Sequence, residues 1–185
     1  MRARHILVAA IALAGCASSP SQVAPAVPFV LVNPSFEERP KPGECPRGWG
    51  CAAHNDATSF RYFVADGAPG AGSTSLCVEP VKSEPWAFVI QGHIDRRLGG
   101  RHLRFSLVAR TTDVTGIGAG AVVEAHDGHG NLVGTAKNVI TGTHDWQRLA
   151  VDFDVPAQAM EIDVGGLLEG RGRLCIDDAR IEELR

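Results

Sequence analysis

Leu103-Arg104-Phe105-Ser106-Leu107-Val108-Ala109-Arg110 and Leu149-Ala150-Val151-Asp152-Phe153-Asp154-Val155 decide the fold. In both stretches apolar side chains return at every second position. Successive strand residues point to opposite faces, so each stretch is a strand with one face buried and one in water. Segments 74–79, 86–94, 120–126, 161–165 and 173–182 have the same character. Turn-rich stretches such as Asp66-Gly67-Ala68-Pro69-Gly70 and Asp127-Gly128-His129-Gly130-Asn131 separate them. No segment sustains a 3.6-residue period. Many short strands punctuated by Gly and Pro predict an all-β chain, an antiparallel β-sandwich of the jelly-roll kind. Gly116-Ile117-Gly118-Ala119-Gly120 reads as a flexible strand connection. It follows no predicted strand and precedes no helix, as a phosphate loop would.

The N-terminus carries a different signal. Arg2 and Arg4 precede an apolar run from Ile6 to Leu13, which ends in Ala14-Gly15-Cys16. This is the layout of a cleaved export signal, residues 1–15. The run is far short of the roughly 20 apolar residues of a transmembrane helix. Leu13-Ala14-Gly15-Cys16 resembles the lipobox of bacterial lipoproteins. That resemblance implies acylation of Cys16, which becomes the new N-terminus and ties the chain to a lipid bilayer. Ala17 in the following position implies sorting to the periplasmic face of the outer membrane. Residues 16–28, small and rich in Ser and Pro, form a tether, and residues 29–185 one domain. Without Arg2 and Arg4 the chain keeps 16 of its 18 basic residues against 21 acidic ones, a net charge of −5. Such a surface does not suit nucleic acid.

Four cysteines remain in a chain bound for an oxidising compartment, and two disulfides are the expectation. Cys45 and Cys51 bracket a loop short enough to close at little entropic cost. Cys77 and Cys175 pair by elimination. Apolar neighbours flank both, Leu76 and Val78 at one and Leu174 and Ile176 at the other, so both thiols should face away from the core and meet across adjacent strands. No CxxC spacing supports zinc instead.

Several short motifs occur in a familiar order: Asn33-Pro34-Ser35-Phe36-Glu37, Gly48-Trp49, Ser75-Leu76-Cys77-Val78, Arg104-Phe105-Ser106 with Ala109-Arg110, Asp145-Trp146, and Ile176-Asp177-Asp178-Ala179-Arg180-Ile181. Together they resemble the galactose-binding-like jelly roll of carbohydrate-binding modules, especially families 4, 9 and 22, over nearly all of residues 30–185. The resemblance implies a structural Ca²⁺ held by Glu37 with Asp177 or its neighbour Asp178, oxygen ligands that suit a hard cation. It also implies scaffold positions for Trp49, Trp86 and Trp146. No organic cofactor is implied.

A ligand groove on the face opposite the core should gather Gln91, His93, Arg110, Glu124 and His126, whose donors and acceptors match sugar hydroxyls. Stacking would come from Trp86 or Tyr62 at an edge. No GxSxG, Walker loop or HExxH is present, and the strand acids do not form the opposed pair that glycoside hydrolysis needs. His126, Asp127 and His129 read as a solvated turn. The expectation is a lipid-anchored, non-catalytic cell-envelope protein that binds glycan. The alternative is a structural or protein-interaction module with an envelope protein as partner.

Overall fold

The structure, a computed structural model, describes residues 29–41, 44–67 and 72–184. The signal, Cys16 and the tether lie outside them. Among the described residues seven antiparallel strands form: β1 Gly50–Ala53, β2 Phe60–Asp66, β3 Thr74–Pro80, β4 Trp86–Ile94, β5 His102–His126, β6 Leu132–Asp154 and β7 Glu161–Glu183. A short 3₁₀ turn, Ala57–Ser59, precedes β2.

The last three strands are 23 to 25 residues long, several times the ordinary length, because each runs through both layers of the sandwich. In one layer, which we call the groove sheet, residues 119–126 of β5 pair with 161–168 of β7 and 132–140 of β6, and β7 pairs onward with β4 and β4 with β1. In the other, the outer sheet, residues 103–112 of β5 pair with 173–183 of β7 and 147–153 of β6, and β7 pairs onward with β3 and β3 with β2. One continuous sheet thus folds over on itself. The predicted flexible connection at 116–120 is instead the middle of β5, and segments 161–165 and 173–182 are two halves of β7.

Glycine makes the fold-over. Gly116 and Gly170 have φ of +88° and +134°, and the two are paired across β5 and β7 where both strands bend. A Cβ on Gly170 would lie 1.9 Å from the Thr115 carbonyl oxygen, so only glycine fits there. Between the layers, Leu103, Phe105, Leu107 and Ala109 of the outer sheet face Ala121, Val123, Ala125, Ile162 and Val164 of the groove sheet in one buried core. The alternation at 103–110 and 149–155 therefore points where expected.

Both disulfides form as expected, Cys45 with Cys51 and Cys77 with Cys175. Cys77 and Cys175 are register partners on β3 and β7, on the side of the outer sheet away from the core.

Candidate functional site

The outward face of the groove sheet is hollow because its side chains alternate between bulky and absent. Cross-strand partners share a face. One row is Phe88, Leu167, Gly120 and Val139; the next is Ile90, Gly165, Val122 and Lys137; the next is Gly92, Asp163, Glu124 and Thr135. Glycine at 92, 120 and 165 leaves the floor low. Trp86 and Phe88 rise along β4 with ring centroids 4.7 Å apart, and the His54 ring meets Trp86 edge-on. On the far side Lys137 reaches over β5 to Glu169, with Nζ 2.6 Å from Oε2. The hollow between them measures about 500 Å³ and is lined by Trp86, Phe88, Val122, Glu124, Lys137 and Glu169 among others. A somewhat larger hollow of about 610 Å³ lies beside the Cys45–Cys51 loop, between Glu44, Phe60 and Tyr62. Of its two aromatic lining residues, Phe60 is buried and Tyr62 packs against the core.

Next to the aromatic wall, Glu124 and Asp163 face each other across β5 and β7. His126 places Nε2 3.2 Å from Asp163 Oδ2 and 3.9 Å from Glu124 Oε2. Burial pushes both carboxyls above the usual carboxylate range, and His126 opposes the shift in each case. The geometry offers stacking at one side, hydrogen-bond acceptors at the other, and an ammonium at the rim.

Of the five predicted ligand residues, only Glu124 and His126 lie on this face. Gln91 and His93 are on the opposite side of β4, in line with buried Ala87 and Val89. The Gln91 amide is buried and holds the Val32 backbone, accepting from its N–H at 2.7 Å and donating to its carbonyl at 3.0 Å. His93 packs its ring against Phe29, with centroids 5.0 Å apart. Arg110 belongs to the outer sheet, where its guanidinium lies 4.9 Å from the centre of the Trp146 ring. The expectation of one groove gathering all five is therefore corrected: the face of β4 was inverted, and β5 carries Arg110 and Glu124 into different layers.

The aromatic expectations divide. Trp49 is buried and donates to the Val32 and Asn33 carbonyls, a scaffold role. Tyr62 packs against the core and donates to the Ala52 carbonyl, so its ring is no open platform, and burial pushes its hydroxyl up to about 12. Trp86 is no scaffold residue, and it forms the groove wall with Phe88. The residue missed was Phe88. Its alternation with Ala87 and Val89 is visible in the sequence, but placing Gln91 and His93 outward turns Phe88 toward the core.

At the calcium candidates, the Glu37 carboxylate accepts from the Ser73 N–H, the Thr74 N–H and the Thr74 hydroxyl. The Thr74 bonds hold it below the usual carboxylate range. Asp177 is fully buried. Asp178 is corrected: it turns the other way, to Arg148 and Arg180. Among the described residues no three His, Cys, Asp or Glu side chains converge as a metal cluster. Glu37 and Asp177 supply oxygen donors of the right kind, and a cation there would draw its remaining ligands from backbone carbonyls. The Asp127 carboxylate accepts from the His129 and Asn131 N–H groups, so the hairpin tip is the solvated turn expected.

No protein-family profile matches the chain, and no curated protein does. Solved structures do. The matches include the enzymatically active domain of bacteriophage CBA120 tailspike protein 4, with a TM-score of 0.65 and 17% identity over 83% of this chain and 21% of that one. The match thus spans about a fifth of the tailspike chain. A second is the CBM22-1 xylan-binding domain of Paenibacillus barcinonensis Xyn10C, with a TM-score of 0.58 and 15% identity over 82% of this chain and 92% of that one. A third is TmCBM61 in complex with β-1,4-galactotriose, with a TM-score of 0.52 and 16% identity over 82% of this chain and 96% of that one. The fold is the jelly-roll sandwich that the xylan-binding domain and TmCBM61 share with this chain, as the motif order implied.

Proposed function

We propose that this chain binds a polysaccharide in the hollow of the groove sheet without cleaving it, and does so as a lipid-anchored protein of the cell envelope. The observation that carries the binding reading is the Trp86–Phe88 wall beside a glycine-floored hollow of about 500 Å³. A sugar ring lays its apolar C–H face on such a wall, while Glu124, Asp163 and Lys137 meet its hydroxyls. The fold shared with a xylan-binding domain and with a galactotriose complex supports this reading. Glu124 and Asp163 stand side by side on one floor, whereas hydrolysis needs two acids on opposite sides of the scissile bond. That arrangement supports binding without turnover.

A glycan array probed with the purified full chain tests the function. Neutral oligosaccharides should be retained, and incubation should leave them uncut. An array with no hits would overturn the binding reading, and shortened oligosaccharides the non-catalytic one.

The anchor rests on Leu13-Ala14-Gly15-Cys16. Cys16→Ser should move the protein from the membrane fraction to the soluble one. The calcium reading rests on the oxygen donors of Glu37 and Asp177. A ligand that binds only the folded state stabilises it by mass action, so Ca²⁺ should raise the melting temperature and EDTA lower it. Equal melts in the two would remove the site.

A further inference from the structure

The outer sheet turns a different surface to solvent. Its register places Phe63, Cys77, Cys175 and Arg110 side by side across β2, β3, β7 and β5, with Trp146 beyond Arg110. Two positions along β2, β3 and β7 come Arg61, Glu79 and Arg173. In the other direction lie Arg148, Asp178 and Arg180.

In the middle of this face the acids are more covered than the arginines over them, while Asp152 and Glu182, beside Arg104 at its border, stay exposed. Glu79 is 17% exposed beneath Arg61 at 58% and Arg173 at 43%. Asp178 is 17% exposed beneath Arg148 at 36% and Arg180 at 66%. Two arginines per carboxylate occur twice, and Arg110 adds a fifth guanidinium. Even with fully buried Asp177 counted, five cations stand over three carboxylates in this part of the sheet, in a chain whose net charge is −3. Arg104, paired with Asp152 near Glu182, borders the patch at the far end of β5.

These arginines are also held in place. Arg61 and Arg173 lie over the Phe63 ring, at 4.8 and 5.7 Å from its centre, and Arg110 lies over Trp146. A guanidinium already fixed by a ring and a carboxylate loses little further freedom when it forks onto a planar anion. Long flexible lysines, which suit a diffuse charged surface, are missing from these positions. None of the exposed large hydrophobics, Val30, Val81, Ile94, Ile117 and Leu132, lies in the patch, and its own rings, Phe63 and Trp146, lie against guanidinium groups, which does not suit entry into a bilayer. Guanidinium forks spaced strand by strand match a chain bearing planar carboxylates at intervals.

From this arrangement we infer a second binding surface on the outer sheet, separate from the groove, whose occupant is an anionic, uronate-bearing polysaccharide. The groove and this surface then take glycans of different charge.

The test uses the full chain, purified in detergent, against four probes: a polygalacturonate fragment, neutral xylohexaose, dextran sulfate, and vesicles of phosphatidylglycerol with phosphatidylcholine. Polygalacturonate should bind, and binding should weaken steeply with added salt. Arg110→Gln and Arg173→Gln should each weaken it about tenfold, the scale of one charge-assisted contact. Arg39→Gln, off the patch, should leave it unchanged, and thermal melts identify any variant that has lost its fold. Trp86→Ala should leave polygalacturonate binding intact, which separates this surface from the groove whatever becomes of the neutral glycan. Absence of polygalacturonate binding, its loss on Trp86→Ala instead of on the arginine variants, or a preference for the vesicles would each overturn the inference. Equal binding of dextran sulfate would overturn the choice of planar carboxylate over anions in general.

Discussion

The Gln91 side-chain amide accepts from the Val32 N–H and donates to the Val32 carbonyl, pinning the segment before β1 to the inner face of β4. Both bonds join residues 59 apart in sequence, so a single side chain satisfies two backbone groups that no strand partner serves. Gln91→Met keeps the volume and removes both bonds. The Val32 N–H then loses its partner while the Val32 carbonyl keeps the Trp49 indole N–H, at a cost of about 1–3 kcal/mol. Urea denaturation should show that loss, and glycan affinity should not change. Lowered affinity at unchanged stability would return Gln91 to the ligand site.

The Cys77–Cys175 disulfide spans 98 residues and Cys45–Cys51 only 6. On the chain-entropy account the long loop stabilises by about 4.7 kcal/mol and the short one by about 2 kcal/mol. Replacing both cysteines of the first pair by Ala should therefore lower stability about twice as much as replacing both of the second. Peptide mapping without reduction checks the pairing, and a fragment linking Cys45 or Cys51 to Cys77 would break it.

What the sequence revealed follows from which strands have one distinctive face. Residues 103–110 and 149–155 alternate strongly, and so did the flanks of Cys77 and Cys175, so core and disulfide were legible there. Residues 86–94 are apolar on both faces: Ala87 and Val89 turn inward, while Trp86 and Phe88 line the groove and Ile90 shares their side of the strand. Period-two reading gives the spacing of such a strand but not its sense, and placing Gln91 and His93 outward chose the wrong series. The grouping of Arg110 with Glu124 failed for another reason. Both face outward on β5, but the strand changes layer at Gly116 and Gly118, and glycine-rich stretches look alike whether they are loops or bends within a strand. The cross-strand meeting of Glu124 with Asp163 depends on that register and had no local signal.

The Glu124–Asp163 pair gives the chain a pH-dependent penalty. Burial raises both carboxyls, so the folded chain keeps these protons to higher pH than the unfolded chain does. Stability therefore falls as pH rises through the window between the ordinary carboxylate value and the raised one. Asp163→Asn removes one ionisation. Its melting temperature should exceed that of the parent near pH 7, and the difference should close toward about pH 4, where the parent carboxyl is protonated too. Glu37, Asp56, Asp127 and Asp152 are shifted the opposite way and lose stability in acid, but they are common to both proteins and cancel in the difference. A difference that stays constant over that range would refute the assignment.

The groove wall is the decisive prediction for function. Trp86 is half-buried and its partners are Phe88 and His54, both outside the core, so truncation removes the platform while the packed interior stays intact. Stacking of one ring on an indole contributes about 0.5–1.5 kcal/mol beyond its area burial. Trp86→Ala should therefore weaken binding of a neutral oligosaccharide by roughly tenfold or more, with a small change in melting temperature. Glu124→Gln keeps a hydrogen-bond acceptor and should weaken binding less, whereas Glu124→Ala removes it and should cost up to about tenfold. Calorimetry on the tightest neutral ligand measures all three. The order Trp86→Ala, then Glu124→Ala, then Glu124→Gln is what a stacking wall faced by polar acceptors requires. If Arg110→Ala abolished neutral-glycan binding while Trp86→Ala left it untouched, the outer sheet would be the glycan face and the hollow over β5 an empty fold feature.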